Sequence, residues 1–277
     1  MNDNVQLADG AQPVGVHPLD VQTMHNASAT HNAPVLTPQP DGRPPENSVQ
    51  PSGGIRYAIE ARGVCKAYRI GGESRRVLDD VDFAAEVGEC VFLSGPSGSG
   101  KSTLLSILGC LLEPDEGHIT IGGRRVDRLS VSQRTLVRRN RIGFVFQRFQ
   151  LIKGITALDN VAFPLTLQGI ATNRARHLAS QLLHHVGLGL HLNALPTRMS
   201  PGQCQRVALA RAVIAKPKLV LADEPTAALD GKSGDEVMEL LKQLVSSAGA
   251  SAVVVTHDPR IHRYADRVCK IENGVLR

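Results

Sequence analysis

Gly95-Pro96-Ser97-Gly98-Ser99-Gly100-Lys101-Ser102-Thr103 stands between an apolar run at 90–93 and a helical pattern at 104–108. The spacing is G-x-x-x-x-G-K-S with a strand expected before it and a helix after it, the context a phosphate-binding loop requires. Glycines let the backbone curl into a nest whose N–H groups converge on phosphate oxygens. The helix that starts near Lys101 adds the positive end of its dipole. Lys101 can reach the outer phosphates of a nucleotide, and the Ser102 hydroxyl can take a Mg²⁺ coordination place. The loop does not say what the energy of a bound nucleotide is used for.

Further along, Leu219-Val220-Leu221-Ala222-Asp223-Glu224 reads as an apolar strand ending in two carboxylates. Neighbouring strand residues point opposite ways, so the acids can divide labour: Asp223 toward the Mg²⁺ that Ser102 also touches, Glu224 toward an in-line water. His257 closes the run Val253-Val254-Val255-Thr256, and Gln147 closes the strand expected at 142–146. Both then lie at the sheet edge where open parallel sheets bind ligands. An imidazole there can hydrogen-bond a terminal phosphate, and Gln147 can orient water or metal. A lone His or Gln at a strand end is usually structural; the shared location is what raises these two.

Met199-Ser200-Pro201-Gly202-Gln203 opens another helix, with Ser200 as N-cap, Pro201 at the first helical position and Gln203 completing a capping box. Its N-terminus is a second anion site in the same chain. If one chain cannot bring both sites to one phosphate, a second chain must.

Around these motifs the pattern predicts short strands at 57–64 and 77–85 and a turn at Glu86-Val87-Gly88-Glu89. A hairpin is expected at 118–123, and an arginine-dense amphipathic helix within 124–141, read as a solvated basic face. A helical insertion is expected over about 148–205, and a helix over 202–215. Ser233-x-x-Glu236 reads as a capping box opening a helix over 237–245, before a strand at 252–256. Strands alternating with helices imply an α/β fold with a parallel sheet covered on both faces.

The 277 residues suffice for one large domain or two small ones. Residues 1–54 contain no Phe, Tyr or Trp and hold eight of the 16 prolines, so they cannot bury enough apolar surface to offset their ordering entropy and are expected to be a disordered tail. Order is expected from Ile55 to Arg277. The tail carries Arg43 against Asp3, Asp9, Asp20, Asp41 and Glu46, a charge of −4, which leaves +9 on the rest of a chain whose net charge is +5. A basic body fits nucleic acid, an anionic membrane surface or a solvated face, and charge alone does not choose. Cys65, Cys90, Cys110, Cys204 and Cys269 are scattered and in no C-x-x-C spacing, which speaks against a disulfide framework or zinc site and for a reducing cytosolic compartment. No apolar run approaches the roughly 18 residues of a membrane span, and the first residues lack the pattern of a signal peptide. Any membrane role is expected to come through a partner.

The order of the loop at 95–103, Gln147, the segment 199–203, the strand ending in Asp223-Glu224, Ala227-Ala228-Leu229-Asp230 and His257 resembles the ABC-type ATPases, over essentially all of 55–277. The resemblance implies a P-loop NTPase fold of ABC type: a mainly parallel core sheet, an antiparallel β subdomain and an inserted helical subdomain. It implies ATP and Mg²⁺ as cofactors, Tyr68 stacked on adenine, and Ser200, Gly202 and Gln203 as the signature that reaches ATP bound in the opposite subunit of a head-to-tail homodimer. Asp230 would belong to the dimer-contacting loop. The family's usual L-S-G-G-Q is here Met199-Ser200-Pro201-Gly202-Gln203; proline removes one backbone donor and presets the helical dihedral, so retained ATP binding with an altered hydrolysis rate is expected. Leu158-Asp159-Asn160-Val161-Ala162-Phe163-Pro164-Leu165 and the run from Leu221 to Asp230 are similar to the subgroup serving lipoprotein release and macrolide export (LolD, MacB), and to the DevA-type ATPases of glycolipid export. That subgroup implies an FtsX-like membrane permease, a periplasmic adaptor reached through it, and a place at the cytoplasmic face of the inner membrane. A force-transmitting role of cell-division type is the alternative. A nucleic-acid or ribosome-acting ATPase is the less favoured one, since the coiled coils, zinc modules or second ATPase domain of such members are lacking, and no nucleic acid is expected as a partner.

Overall fold

The structure, a computed structural model, describes residues 56–277; the tail expected at 1–54 lies outside the described residues. Strands β1 (Tyr57–Ile70) and β2 (Glu73–Glu86) form an antiparallel hairpin turned by Gly71-Gly72. Each has 14 residues, well beyond the short strands expected. Register shifts near Ala61, Val64 and Lys66 break the two-residue alternation, so the pairing continues past the point where the apolar pattern stops.

Strand β3 (Cys90–Ser94) opens the second sheet and runs through the glycine-rich loop into helix α1 (Lys101–Leu108). The hairpin of β4 (Glu116–Ile121) and β5 (Arg124–Arg125) joins the first pair in a four-stranded antiparallel sheet of order β2-β1-β4-β5. Helix α2 (Val131–Arg141) takes only the second half of the arginine-dense stretch, because Ser130 caps it in a reciprocal box with Gln133. Val137 is its one buried residue. Its arginines are partly engaged: Arg134 pairs with Glu113, Arg138 Nη1 donates to Cys110 O at 2.8 Å, and Arg139 Nη1 donates to Leu167 O at 3.1 Å.

After β6 (Ile142–Val145) come α3 (Ala157–Leu167) and α4 (Thr172–His185), then α5 (Pro201–Val213), β7 (Leu219–Asp223), α6 (Gly231–Ser247) and β8 (Ser251–Val255). The expected capping box at Ser233 does not open α6. Asp230 is the N-cap, its Oδ1 accepting from Ser233 N at 2.9 Å and its Oδ2 from Ser233 Oγ at 2.9 Å. A carboxylate at Asp230 outcompetes the serine three residues later, so the helix begins six residues earlier than expected. The chain ends in β9 (Arg267–Glu272) and β10 (Val275–Leu276), which the sequence pattern did not reveal.

The core sheet has the order β10-β9-β3-β8-β7-β6, parallel throughout except for β10 on β9. Its central strands are apolar on both faces because both are covered. Val91, Leu93, Leu219, Leu221, Val253 and Val255 pack toward the antiparallel sheet and α1. Phe92, Val220, Ala222, Ala252 and Val254 pack toward α3–α6. Phe92 has no exposed surface, and burying such a side chain contributes about 1.5–3 kcal/mol. All five cysteines are buried free thiols, and burial pushes Cys90 up to about 12 and Cys110 up to about 11, which leaves them inert.

Candidate functional site

The loop between β3 and α1 is forced into its path by two close approaches. A Cβ on Gly95 (φ 151°) would lie 2.1 Å from Ile271 O on β9, and one on Gly100 (φ 105°) would lie 2.8 Å from Leu78 Cδ2 and from Val77 O on β2. Only glycine lets the loop lie this close to both sheets. Lys101 is buried, and its ammonium curls back to donate to Gly95 O at 2.8 Å and Pro96 O at 2.7 Å.

Asp223 at the end of β7 accepts from Ser102 Oγ at 3.3 Å. Burial pushes the Asp223 carboxyl above the ordinary range, with the Ser102 hydrogen bond opposing. Asp223 and Glu224 do not alternate along one strand, because β7 ends at Asp223. Glu224 leaves the strand in the left-handed region with φ 47°, its N–H donating to Val255 O at 2.9 Å. Its Oε1 lies 2.6 Å from His257 Nδ1. The turn, and not the pleat, aims this carboxylate. His257 is largely exposed, while Glu224 is mostly covered.

These groups share one cavity of about 850 Å³, lined by Ser97, Gly98, Gly100, Lys101, Ser102 and Thr103 of the loop with Tyr68, Gln147, Asp223, Glu224 and His257. Pro96 and Gly95 contribute the carbonyls that hold Lys101, and Ser99 is buried behind the loop with an unpartnered hydroxyl. Tyr68 is 38% exposed and stands opposite Arg75 in the β1–β2 register. Arg75, Arg76, Val77, Asn273 and Gly274 also line the cavity and were not anticipated. Asn273-Gly274 is the turn between β9 and β10, where Gly274 N donates to Ser99 O at 3.1 Å; only its turn dipeptide could have hinted at it.

Ser200, Gly202 and Gln203 are elsewhere, on a separate cavity of about 290 Å³ shared with Arg206, Ser233 and Glu236. The capping box expected there is present: Ser200 Oγ accepts from Gln203 N at 3.2 Å and Gln203 Oε1 accepts from Ser200 N at 2.9 Å. Asp230 caps α6 and lines neither cavity; the Ser233 backbone N–H holds its carboxyl below the usual range.

The large cavity offers a positive loop beside a pair of hard oxygen donors. A half-buried carboxylate next to a hydroxyl gains from a divalent cation, so Ser102 and Asp223 fit Mg²⁺. Residues 78–227 match the family described as ABC transporter. The chain belongs to this family. Like the ABC cassettes it resembles, it is an ATP-binding ATPase. It is 43% identical over 218 residues to a lipoprotein-releasing system ATP-binding protein LolD of Shewanella oneidensis, covering 79% of this chain and 95% of that one. It is 44% identical over 216 residues to a macrolide export ATP-binding/permease protein MacB 1/2 of Paracoccus denitrificans, covering 78% of this chain but only 32% of that longer protein. Among solved structures, the dimeric post-hydrolysis state of the ATP-binding cassette MJ0796, bound to ADP and Pi, superposes with a TM-score of 0.74 at 40% identity, covering 79% of this chain and 96% of that one. The ABC fold is therefore shared in sequence and in structure. Among the described residues no helix is long and apolar enough to cross a membrane.

Proposed function

We propose that this chain is the ATP-hydrolysing subunit of a bacterial ABC exporter, working as a homodimer at the cytoplasmic face of the inner membrane and powering export or release of a lipid-like or hydrophobic substrate through an FtsX-like permease, with a periplasmic adaptor beyond it. The observation that carries the reading is that the two helix N-termini suited to phosphate, those after Gly100 and Ser200, line separate cavities of one chain. Two copies facing head to tail complete each site.

In this reading Lys101 and the loop N–H groups bind the phosphates, and Tyr68 stacks on the base. Ser102, Asp223 and Gln147 would hold Mg²⁺, which would supply charge neutralisation for the phosphates. Glu224 accepts a proton from the attacking water, and His257, bonded to Glu224, orients it and meets the terminal phosphate. Ser200, Gly202 and Gln203 close over the nucleotide from the partner, with Asp230 near the junction. The α2 arginines bonded within the chain weigh against a nucleic-acid role.

Affinity purification of the full chain from membranes tests the proposal. A co-purifying permease together with ATP hydrolysis supports it. Recovery with ribosomes or DNA in a salt-sensitive manner, and with no membrane protein, overturns it.

A further inference from the structure

The segment following Gln147 contains two successive residues in the left-handed region, Phe149 with φ 59° and Gln150 with φ 49°. Neither is glycine, so both conformations are strained, and such strain persists only where the surroundings over-determine it. Arg211 supplies that determinant. Arg211 Nη1 donates to Gln150 O at 2.6 Å and Nη2 donates to Phe149 O at 2.8 Å. Among the described residues Arg211 makes no ion pair, and these two carbonyls are the hydrogen-bond partners its guanidinium has there. Burial lowers its pKa, the direction expected of a cation held by dipoles alone.

Arg211 sits on α5, the helix that Ser200 caps, 11 positions after that cap, with no glycine or proline between Gly202 and itself. From the other side Asn160 of α3, which has no exposed surface, pins the rest of the segment. Its Oδ1 accepts from Ile152 N at 2.8 Å, and its Nδ2 donates to Ile152 O at 3.0 Å and Thr156 O at 3.0 Å. The backbone from Phe149 to Thr156 is therefore fastened to two helices, while Gln147, two residues before it, lines the large cavity at the sheet edge.

We propose that Arg211 is a positioning residue for ATP hydrolysis: by clamping the Phe149 and Gln150 carbonyls to α5, it delivers a displacement of the Ser200 end of that helix to Gln147. This rests on the reading that Ser200 contacts nucleotide held by a second copy. A stiff helix carries a shift at its N-terminus to its last turn, and two short hydrogen bonds to strained backbone leave Gln147 little freedom to stay behind.

The test uses the full chain with ATP and Mg²⁺, comparing Arg211→Met, Arg211→Lys, Ser200→Ala and the pair Arg211→Met with Gln150→Gly. Arg211→Met is expected to lower kcat about tenfold, the scale of such couplings, with KM and equilibrium ATP binding changed less than twofold. Arg211→Lys restores part of kcat. Gln150→Gly in the Arg211→Met background restores only part of the loss, because glycine takes the left-handed conformation without a clamp but has no link to α5; recovery to the wild-type kcat overturns the proposal. A loss that merely follows the fraction of folded, ATP-binding protein, with no recovery by Gln150→Gly, overturns the proposal. So does Arg211→Met with unchanged kcat while Ser200→Ala is impaired. If Ser200→Ala is also unimpaired, the reading of Ser200 as a partner's contact fails with it.

Discussion

His257 Nδ1 lies 2.6 Å from Glu224 Oε1, although the two residues are 33 positions apart. The contact arises because Glu224 leaves β7 in a left-handed turn tied to Val255 O, which swings its carboxylate to the end of β8 where His257 follows. In the proposed reading this carboxylate is the base and the imidazole its orienting partner. Glu224→Gln is expected to lower turnover by about 100-fold or more and to trap an ATP-bound dimer, read by phosphate release and by size-exclusion with ATP. His257→Ala is expected to impair turnover as well, and the double variant to be no worse than Glu224→Gln alone, since the two act as one unit.

Asp223 gives a pH dependence of known sign. Burial raises its carboxyl pKa in the folded protein, so its contribution to stability is present below the unfolded value and is lost as the pH rises through the folded one. At neutral pH and without nucleotide, Asp223→Asn is expected to melt above the wild type, by roughly 2–4 °C per kcal/mol relieved. The difference should shrink as the pH falls below the carboxylate range. Turnover with Mg²⁺ should be lost. Thermal melts from pH 3 to 8 beside an ATPase assay check both halves.

Gly95→Ala is expected to abolish measurable nucleotide binding, because its Cβ would meet Ile271 O at 2.1 Å. That oxygen belongs to β9, which is held to β3 through the register pairs Leu93 with Cys269 and Ser94 with Lys270. The strand cannot retreat without breaking the ladder beside the loop. Titration with a fluorescent ATP analogue reads the effect, and an unchanged affinity would count against the loop geometry.

Pro201 is the first residue of α5, where it brings no backbone donor. Pro201→Gly restores an N–H at a helix N-terminus that in the proposed dimer meets the partner's nucleotide, so turnover is expected to rise about two- to threefold with ATP affinity unchanged. Ser200→Ala removes the cap, at a cost of about 1 kcal/mol in stability, and lowers turnover. Steady-state kinetics with equilibrium binding separates the two effects; loss of ATP-driven dimerisation in Pro201→Gly would refute this account.

The parts of the site legible in the sequence are those whose physics is local. The loop at 95–103 announces itself because nest, lysine and helix start are contiguous, and Ser200 announces its cap because Pro201 and Gln203 follow at fixed offsets. Even local rules mislead where two caps compete, as Asp230 and Ser233 do three residues apart. β9 escaped notice because its exposed Arg267, Val268 and Lys270 interrupt the apolar pattern around buried Cys269 and Ile271.

By itself, then, the sequence determined a phosphate-binding loop, a second helix N-terminus suited to anions, and a parallel sheet built from strands too apolar to face water. Only the tertiary structure decided that Glu224 meets His257, that Arg75 faces Tyr68 across a hairpin, and that Arg211 grips the backbone beyond Gln147. It alone separated the cavity of Lys101 from that of Ser200. The reason is that such pairings depend on strand order, register and helix placement, which bring together residues tens of positions apart and leave no periodic trace along the chain.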